Sequence, residues 1–267
     1  MTAMARADTF KCDVAPVRRA GLVLEVTAVT HRGRVREHNE DTISVGRWTC
    51  GDTMAAPRRS VHDFADARLV LVADGMGGHA AGRQASRRAA LTMQRLTLDD
   101  GERPEVEDAL RTVNRELFAT AAAEPALRGM GTTIAGILAL ADRIVWFNVG
   151  DSRVYSVRQE FLRQLSVDDV PAWAGPGSGR ITQALGGADA FQEIQPHVGS
   201  QSARAGRRYL LCTDGLTDAV PIETMERALS HNDQAFAREL LDSALAAGAR
   251  DNVSIVLASV RTGAVAG

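Results

Sequence analysis

Short apolar runs punctuated by polar turns organise most of this chain. Leu22–Thr30 (LVLEVTAVT) and Thr42–Gly46 each predict a strand, with a polar turn at His31–Arg36 between them. Residues 47–66, with Gly51, Pro57, Arg58, Arg59 and Ser60, read as a loop or insertion rather than an element. RLVLVADG (Arg68–Gly75) is a buried strand closed by Asp-Gly. The period then lengthens. Over Ala80–Leu98 it brings Ala85, Ala89, Met93 and Leu96 to one helical face. Pro104–Ala123 predicts a second helix, with Pro104 near its first turn and Val106, Leu110, Val113 and Leu117 at helical spacing. Strands return at Thr132–Ala139, Arg143–Val149, Arg153–Val157, Arg208–Cys212 and Asn252–Val260, and Ile222–Ala247 reads as one or two helices. A sheet-rich core with helices packed outside it follows from that order.

Composition narrows the chemistry. The 45% hydrophobic and 24% charged residues are ordinary for a soluble globular protein. A formal net charge of -2 offers no global field for nucleic acid or an anionic membrane. Of 31 basic residues only Lys11 is a lysine, which disfavours a Walker-type phosphate loop or a Schiff base. Cys12, Cys50 and Cys212 are too few and too widely spaced for a disulfide framework or a structural zinc site. There is no continuous apolar leader, and no apolar run reaches the roughly 18 residues of a membrane span. A soluble, cytoplasmic protein is expected.

Aspartates stand at the ends of the apolar runs. Asp74 follows LVLVA, Asp151 follows IVWFNVG, Asp214 follows YLLCT, and Asp251 precedes NVSIVLASV; Glu40–Asp41 lies just before another strand. Asp-Gly pairs make turns on their own account, and Asp74-Gly75 and Asp214-Gly215 could be no more than that. Strand ends on one edge of a sheet nevertheless meet in space. Clustered carboxylates raise one another's pKa unless a cation neutralises them. Oxygen ligands without histidine or cysteine favour Mg²⁺ or Mn²⁺ over zinc.

REHNED (Arg36–Asp41), ADGMGGHAAG (Ala73–Gly82), GMGTT (Gly129–Thr133), GDSR (Gly150–Arg153), LLCTDGLTD (Leu210–Asp218) and DNVS (Asp251–Ser254) occur in that order. Together they resemble the metal-dependent protein phosphatases of the 2C type, and ADGMGGHAAG and GMGTT resemble the bacterial branch. The likeness runs from about Leu22 to Val260. It implies an α+β fold, a four-layer α-β-β-α sandwich of two antiparallel sheets with helices on both outer faces. It also implies a centre of two Mn²⁺ or Mg²⁺ ions, with a third in some members. By position Asp74, Asp214 and Asp251 hold the first ion. Asp74, the Gly75 carbonyl and the pair Glu40/Asp41 hold the second, with the direct ligand of that pair left open. Asp151 with Asp214 matches the third position, and Arg36 matches the residue that grips the substrate phosphate. The implied reaction is hydrolysis of phosphoserine and phosphothreonine in proteins by direct attack of a metal-bridging hydroxide, opposing a cognate Ser/Thr kinase. A catalytically silent phosphoprotein-binding or scaffolding module on the same fold is the alternative, and it would require lost carboxylates.

Departures from the family pattern are specific. Met76 stands where some members carry a histidine, so the general acid is His79, His38 or water. Asp168-Asp169 fits the family's acidic pair after GDSR, and the segment near 170–182 is shorter than the usual flap. Cys12 and Arg18 have the spacing of a tyrosine-phosphatase loop, but the intervening DVAPV lacks the glycines such a loop needs. The expected organisation is a flexible arm over 1–20, one domain over 21–261, and a tail over 262–267.

Overall fold

The computed structural model describes residues 21–64, 68–98, 105–173, 180–230 and 232–263. The arm expected at 1–20, most of the tail and part of the short flap lie outside them. Strands β1 (Leu22–His31), β2 (Thr42–Val45), β3 (Trp48–Cys50), β4 (Arg58–Asp63) and β5 (Arg68–Ala73) come first. The two-residue β6 (Gly75–Met76) leads into α1 (His79–Leu98) and α2 (Val106–Ala123). Next come β7 (Gly131–Thr132), β8 (Ile134–Ala139), β9 (Arg143–Val149), β10 (Arg153–Arg158) and β11 (Phe161–Gln164). Then follow β12 (Leu185–Gly186), β13 (His197–Ser202), β14 (Arg208–Cys212), α3 (Asp214–Thr217), α4 (Ile222–Arg227), α5 (Asp233–Ala246) and β15 (Val253–Thr262).

Two six-stranded sheets run β11-β10-β14-β15-β1-β4 and β13-β9-β8-β5-β2-β3, and β12-β7-β6 make a small third one. Every pairing given for them is antiparallel. Their facing sides bury Val26, Ala28, Val70, Val72, Ile137, Tyr209 and Val256. The outer side of the second sheet packs Leu69, Leu71 and Phe147 on α1 and α2 through Met93, Leu110 and Leu117. The outer side of the first sheet packs Val29, Leu210 and Ile255 on α5 through Phe236, Leu240 and Leu241. The expected α-β-β-α order is therefore present, because the central strands are apolar on both faces and each helix supplies one apolar stripe.

Residues 47–66 correct the sequence reading. Within the described part, 47–64, two strands, β3 and β4, replace the expected loop and form the outermost strand of each large sheet on the same side of the sandwich. β4 reads RRSVHD and carries no apolar alternation, so it was invisible as a strand. Its half-buried Ser60 and His62 sit by Trp48, whose ring stacks under the Arg58 guanidinium at 4.6 Å. Charged edge strands of this kind resist pairing with other chains. The reading of Thr132–Ala139 as one strand also divides, at Thr133, between β7 and β8.

Leu110 is fully buried on α2. Leu110→Ala should cost about 2–5 kcal/mol in urea unfolding while leaving the far-UV circular dichroism of the folded protein unchanged.

Candidate active site

Strand register brings the acidic residues together. Thr42 pairs with Ala73, so the chain entering β2 at Asp41 lies beside the chain leaving β5 at Asp74. On the other sheet Cys212 pairs with Ile255 and with Arg153. That register gathers Asp214 at the start of α3, Asp251 just before β15, and Asp151 in the turn from β9 to β10. A cavity of about 480 Å³ opens there, lined by Arg36, Glu40, Asp74, Gly75, Asp151, Asp214 and Asp251 among others. Asp41 is fully buried behind it.

The remaining motif residues hold this frame. Thr133 Oγ1 accepts from the Asp74 N–H at 3.2 Å, and the Asp74 carbonyl accepts from Thr132 Oγ1 at 2.8 Å and the Thr133 N–H at 2.9 Å. Thr133 and Ser152 hydroxyls meet at 2.7 Å, joining GMGTT to GDSR. Asp41 Oδ2 accepts from Thr213 at 2.9 Å and from Ser254 at 2.6 Å. Asn252 ties down the loop that carries Arg36 and Glu40. Its Nδ2 donates to the Arg32 and His38 carbonyls at 3.0 and 2.9 Å, and its Oδ1 accepts from the Glu40 N–H at 2.8 Å. At Gly75 any Cβ would run into the Gly82 carbonyl, so only glycine lets α1 pack so closely beneath the cavity.

Burial and crowding set the electrostatics. Burial pushes Asp41 up to about 7, against the pull of the Ser254 and Thr213 hydroxyls. Burial, then the charges of Asp41 and Asp214, holds Asp74 well above the usual carboxylate range. Asp214 rises to about 7 through burial and the charge of Asp151. Asp151 rises to about 6 through burial, with Asp168 and Asp218 adding to it. Arg36 at the mouth donates to Asp251 Oδ2 at 2.6 Å, which raises its own pKa.

The donors fit a hard divalent cation. Asp214 Oδ1 and Asp41 Oδ1 are buried and lack a hydrogen-bond partner, which is costly for carboxylate oxygens unless a cation or proton meets them. The repulsion among Asp74, Asp214 and their neighbours is the same demand in electrostatic form. As they stand, no three His, Cys, Asp or Glu side chains among the described residues close on one point. Asp251 is turned to Arg36, and Asp41 to its two hydroxyls.

Each sequence-predicted site residue except Asp41 reaches the cavity wall. Among the described side chains no histidine lines that wall, and His38 is exposed; the His79 side chain lies outside them. Asp218 was missed: its charge acts on both Asp151 and Asp214. The signal was present, since four residues after Asp214 is one helical turn on. Asn252 was missed as a clamp, and a lone Asn gives no sequence sign of that role. The Asp168-Asp169 pair splits, with Asp168 taking Arg153 at 2.7 Å and Asp169 turning to Gly150 and His197.

Comparison with known proteins narrows what this fold and its buried carboxylate cluster belong to. A family model described as Protein phosphatase 2C matches residues 49–257, and the chain belongs to that family. It is 37% identical over 262 residues to the serine/threonine protein phosphatase PstP of Mycobacterium tuberculosis, covering 91% of this chain and 46% of that protein. The chain thus spans about half the length of that relative. It is 31% identical to the serine/threonine phosphatase stp of Listeria monocytogenes, covering 85% of this chain and 92% of the relative. The solved catalytic domain of PstP, in complex with 2 manganese ions, matches with TM-score 0.69 and 37% identity. That match covers 90% of this chain and 99% of the other.

Raised carboxylate pKa values mean that the folded protein binds protons the unfolded chain releases. With EDTA present, this cluster's contribution therefore turns unfavourable as pH rises from about 4 to above 7. In EDTA at pH 8, Asp214→Asn should raise Tm, by about 3 °C per kcal/mol of repulsion removed. It should also abolish the Tm rise that Mn²⁺ gives the parent protein. In the parent that Mn²⁺ rise should shrink as pH falls below about 7. Differential scanning calorimetry reads all three.

Proposed function

We propose that this chain is a Mn²⁺- or Mg²⁺-dependent protein serine/threonine phosphatase, acting in the cytoplasm opposite a Ser/Thr kinase. Family membership supports the reaction class, and the two-manganese complex of PstP supports the cofactor. The observation that carries the reading is the buried, partnerless Asp214 Oδ1 beside Asp74, below a cavity with a guanidinium at its mouth. Bound cations would supply an activated water near neutral pH and clamp the phosphoryl oxygens.

The residues divide the remaining work. Asp74, Asp214 and Asp251 would hold one ion. Asp74, the Gly75 carbonyl and Glu40 would hold the other. Glu40 would be the direct ligand of its pair, a reading supported by its place on the cavity wall and by the burial of Asp41 behind it. Asp151 and Asp218, with Asp214, form a third, more open acidic position. Arg36 must leave Asp251 to meet substrate. Its ion pair is half-exposed, so the exchange is inexpensive, and the guanidinium fork then takes two phosphoryl oxygens. Protonation of the leaving group would fall to water or to a histidine, and among the described side chains that line the cavity there is no histidine.

Purified protein should release phosphate from a phosphothreonine peptide with Mn²⁺ and stop in excess EDTA. Folded protein that releases none under any divalent metal would point instead to a silent binding module. Arg36→Ala should lower kcat/KM by about 10²-fold in steady-state assays, as for other lost donors to a developing anion.

A further inference from the structure

Asp169 stands where three parts of the molecule meet, and it has a partner on each. Its N–H donates to the Gly150 carbonyl at 3.1 Å, and its Oδ2 accepts from the Gly150 N–H at 2.8 Å. Those two bonds close a ring on the turn that presents Asp151. The Asp169 carbonyl accepts from the Thr182 N–H at 2.7 Å, and Oδ2 also accepts from Gln183 Nε2 at 2.9 Å. Gln183 is in turn fixed to Gln195, donating to its carbonyl at 3.0 Å and accepting from its N–H at 2.8 Å. Finally, Asp169 Oδ1 pairs with His197 Nε2 on β13 at 2.9 Å. The Asp169 side chain is only 11% exposed, so its own bonds are shielded from water, whereas the Gln183–Gln195 pair beyond it is exposed. Its neighbour Asp168 takes no part, being engaged by Arg153 and Gln164.

What this hub fixes is the chain at Thr182, and the residue before it is Ile181. Ile181 lines the catalytic cavity, where Met76 is the other large apolar side chain given for the wall. A small phosphate ester needs only the carboxylate floor and Arg36. A phosphorylated polypeptide must also lie across the rim, and there Ile181 offers apolar surface. We propose that Asp169 and His197 are positioning residues that hold Ile181 as the wall on which the polypeptide around the phosphoresidue packs. The pair thereby favours phosphoproteins over small phosphate esters. This rests on the phosphatase reading above. His197 supports the arrangement from outside, because the Gly150 ring anchors Asp169 without it while Oδ1 depends on it.

The test compares a phosphothreonine peptide with a small aryl phosphate, both with Mn²⁺. His197→Ala should raise KM for the peptide roughly tenfold, with kcat for the aryl phosphate and the Mn²⁺ dependence retained. His197→Gln, which can still donate to Oδ1, should recover most of the peptide KM. Ile181→Ala should raise the peptide KM similarly, and the double variant should be no worse than either single. Equal losses on both substrates, or additive effects in the double variant, would overturn the proposal. If His197→Ala lowers Tm too far to assay, the comparison of His197→Gln with Ile181→Ala still decides, since only the latter should shift the peptide KM. Failure of the parent protein on both substrates would instead sink the phosphatase reading.

Discussion

The site depends on keeping several carboxylates in a small, partly desolvated space although they repel one another. Unopposed, Asp41, Asp74, Asp214 and Asp251 would spread apart or stay protonated, and burial and mutual charge raise the pKa values of Asp41, Asp74 and Asp214 accordingly. What prevents the spread is the backbone beneath them. Each acid stands at the end of a strand or within a turn whose neighbouring strands are already paired, so moving one means breaking a ladder. The long apolar strands therefore do more than build a core. They supply the stiffness that lets charge be concentrated.

The groups that fasten this frame are neutral. Thr132, Thr213, Ser254 and Asn252 hold backbone or carboxylate oxygens through hydroxyls and an amide, and the Thr133 and Ser152 hydroxyls join each other. A buried arginine in their place would neutralise the carboxylates and compete with any cation. The arginines near the site are accordingly turned aside. Arg153, two residues beyond Asp151, pairs with Asp168, and Arg36 stays at the mouth where water screens it. Guanidinium groups were available throughout this arginine-rich chain, so their arrangement around the cavity is consistent with reserving the floor for metal.

Legibility in the sequence followed the strength of the local pattern. β5 and β15 are nearly continuous apolar runs, and both were read directly. β4, β11 and β13 are polar strands whose existence depends on a neighbour, such as Gly199 packing under the Trp146 ring. No one-dimensional period carries that information. The carboxylates were legible because an acid ending an apolar run is conspicuous. The division between Glu40 and Asp41 was not, since adjacent residues differ only in which way the folded backbone turns them. Asn252 escaped because its partners lie far off in sequence and belong to the backbone, and Asp169, read only as half of an acidic pair, could not be told from Asp168 for the same reason.

The site also straddles the seam between the sheets. Asp41 and Asp74 belong to the sheet containing β2 and β5, while Asp214 and Asp251 belong to the one containing β14 and β15. Asp151 sits in the turn by which the chain passes from the one sheet to the other. Without a cation, the charges on the two sides push the sheets apart at this end of the sandwich. A cation shared by Asp74 and Asp214 would reverse the sign of that interaction and join the layers. Binding to the folded state alone adds its free energy to stability. With such a cation bound, metal affinity and the cohesion of the two sheets would be linked in this fold, and a substitution that loosens the seam would weaken metal binding as well.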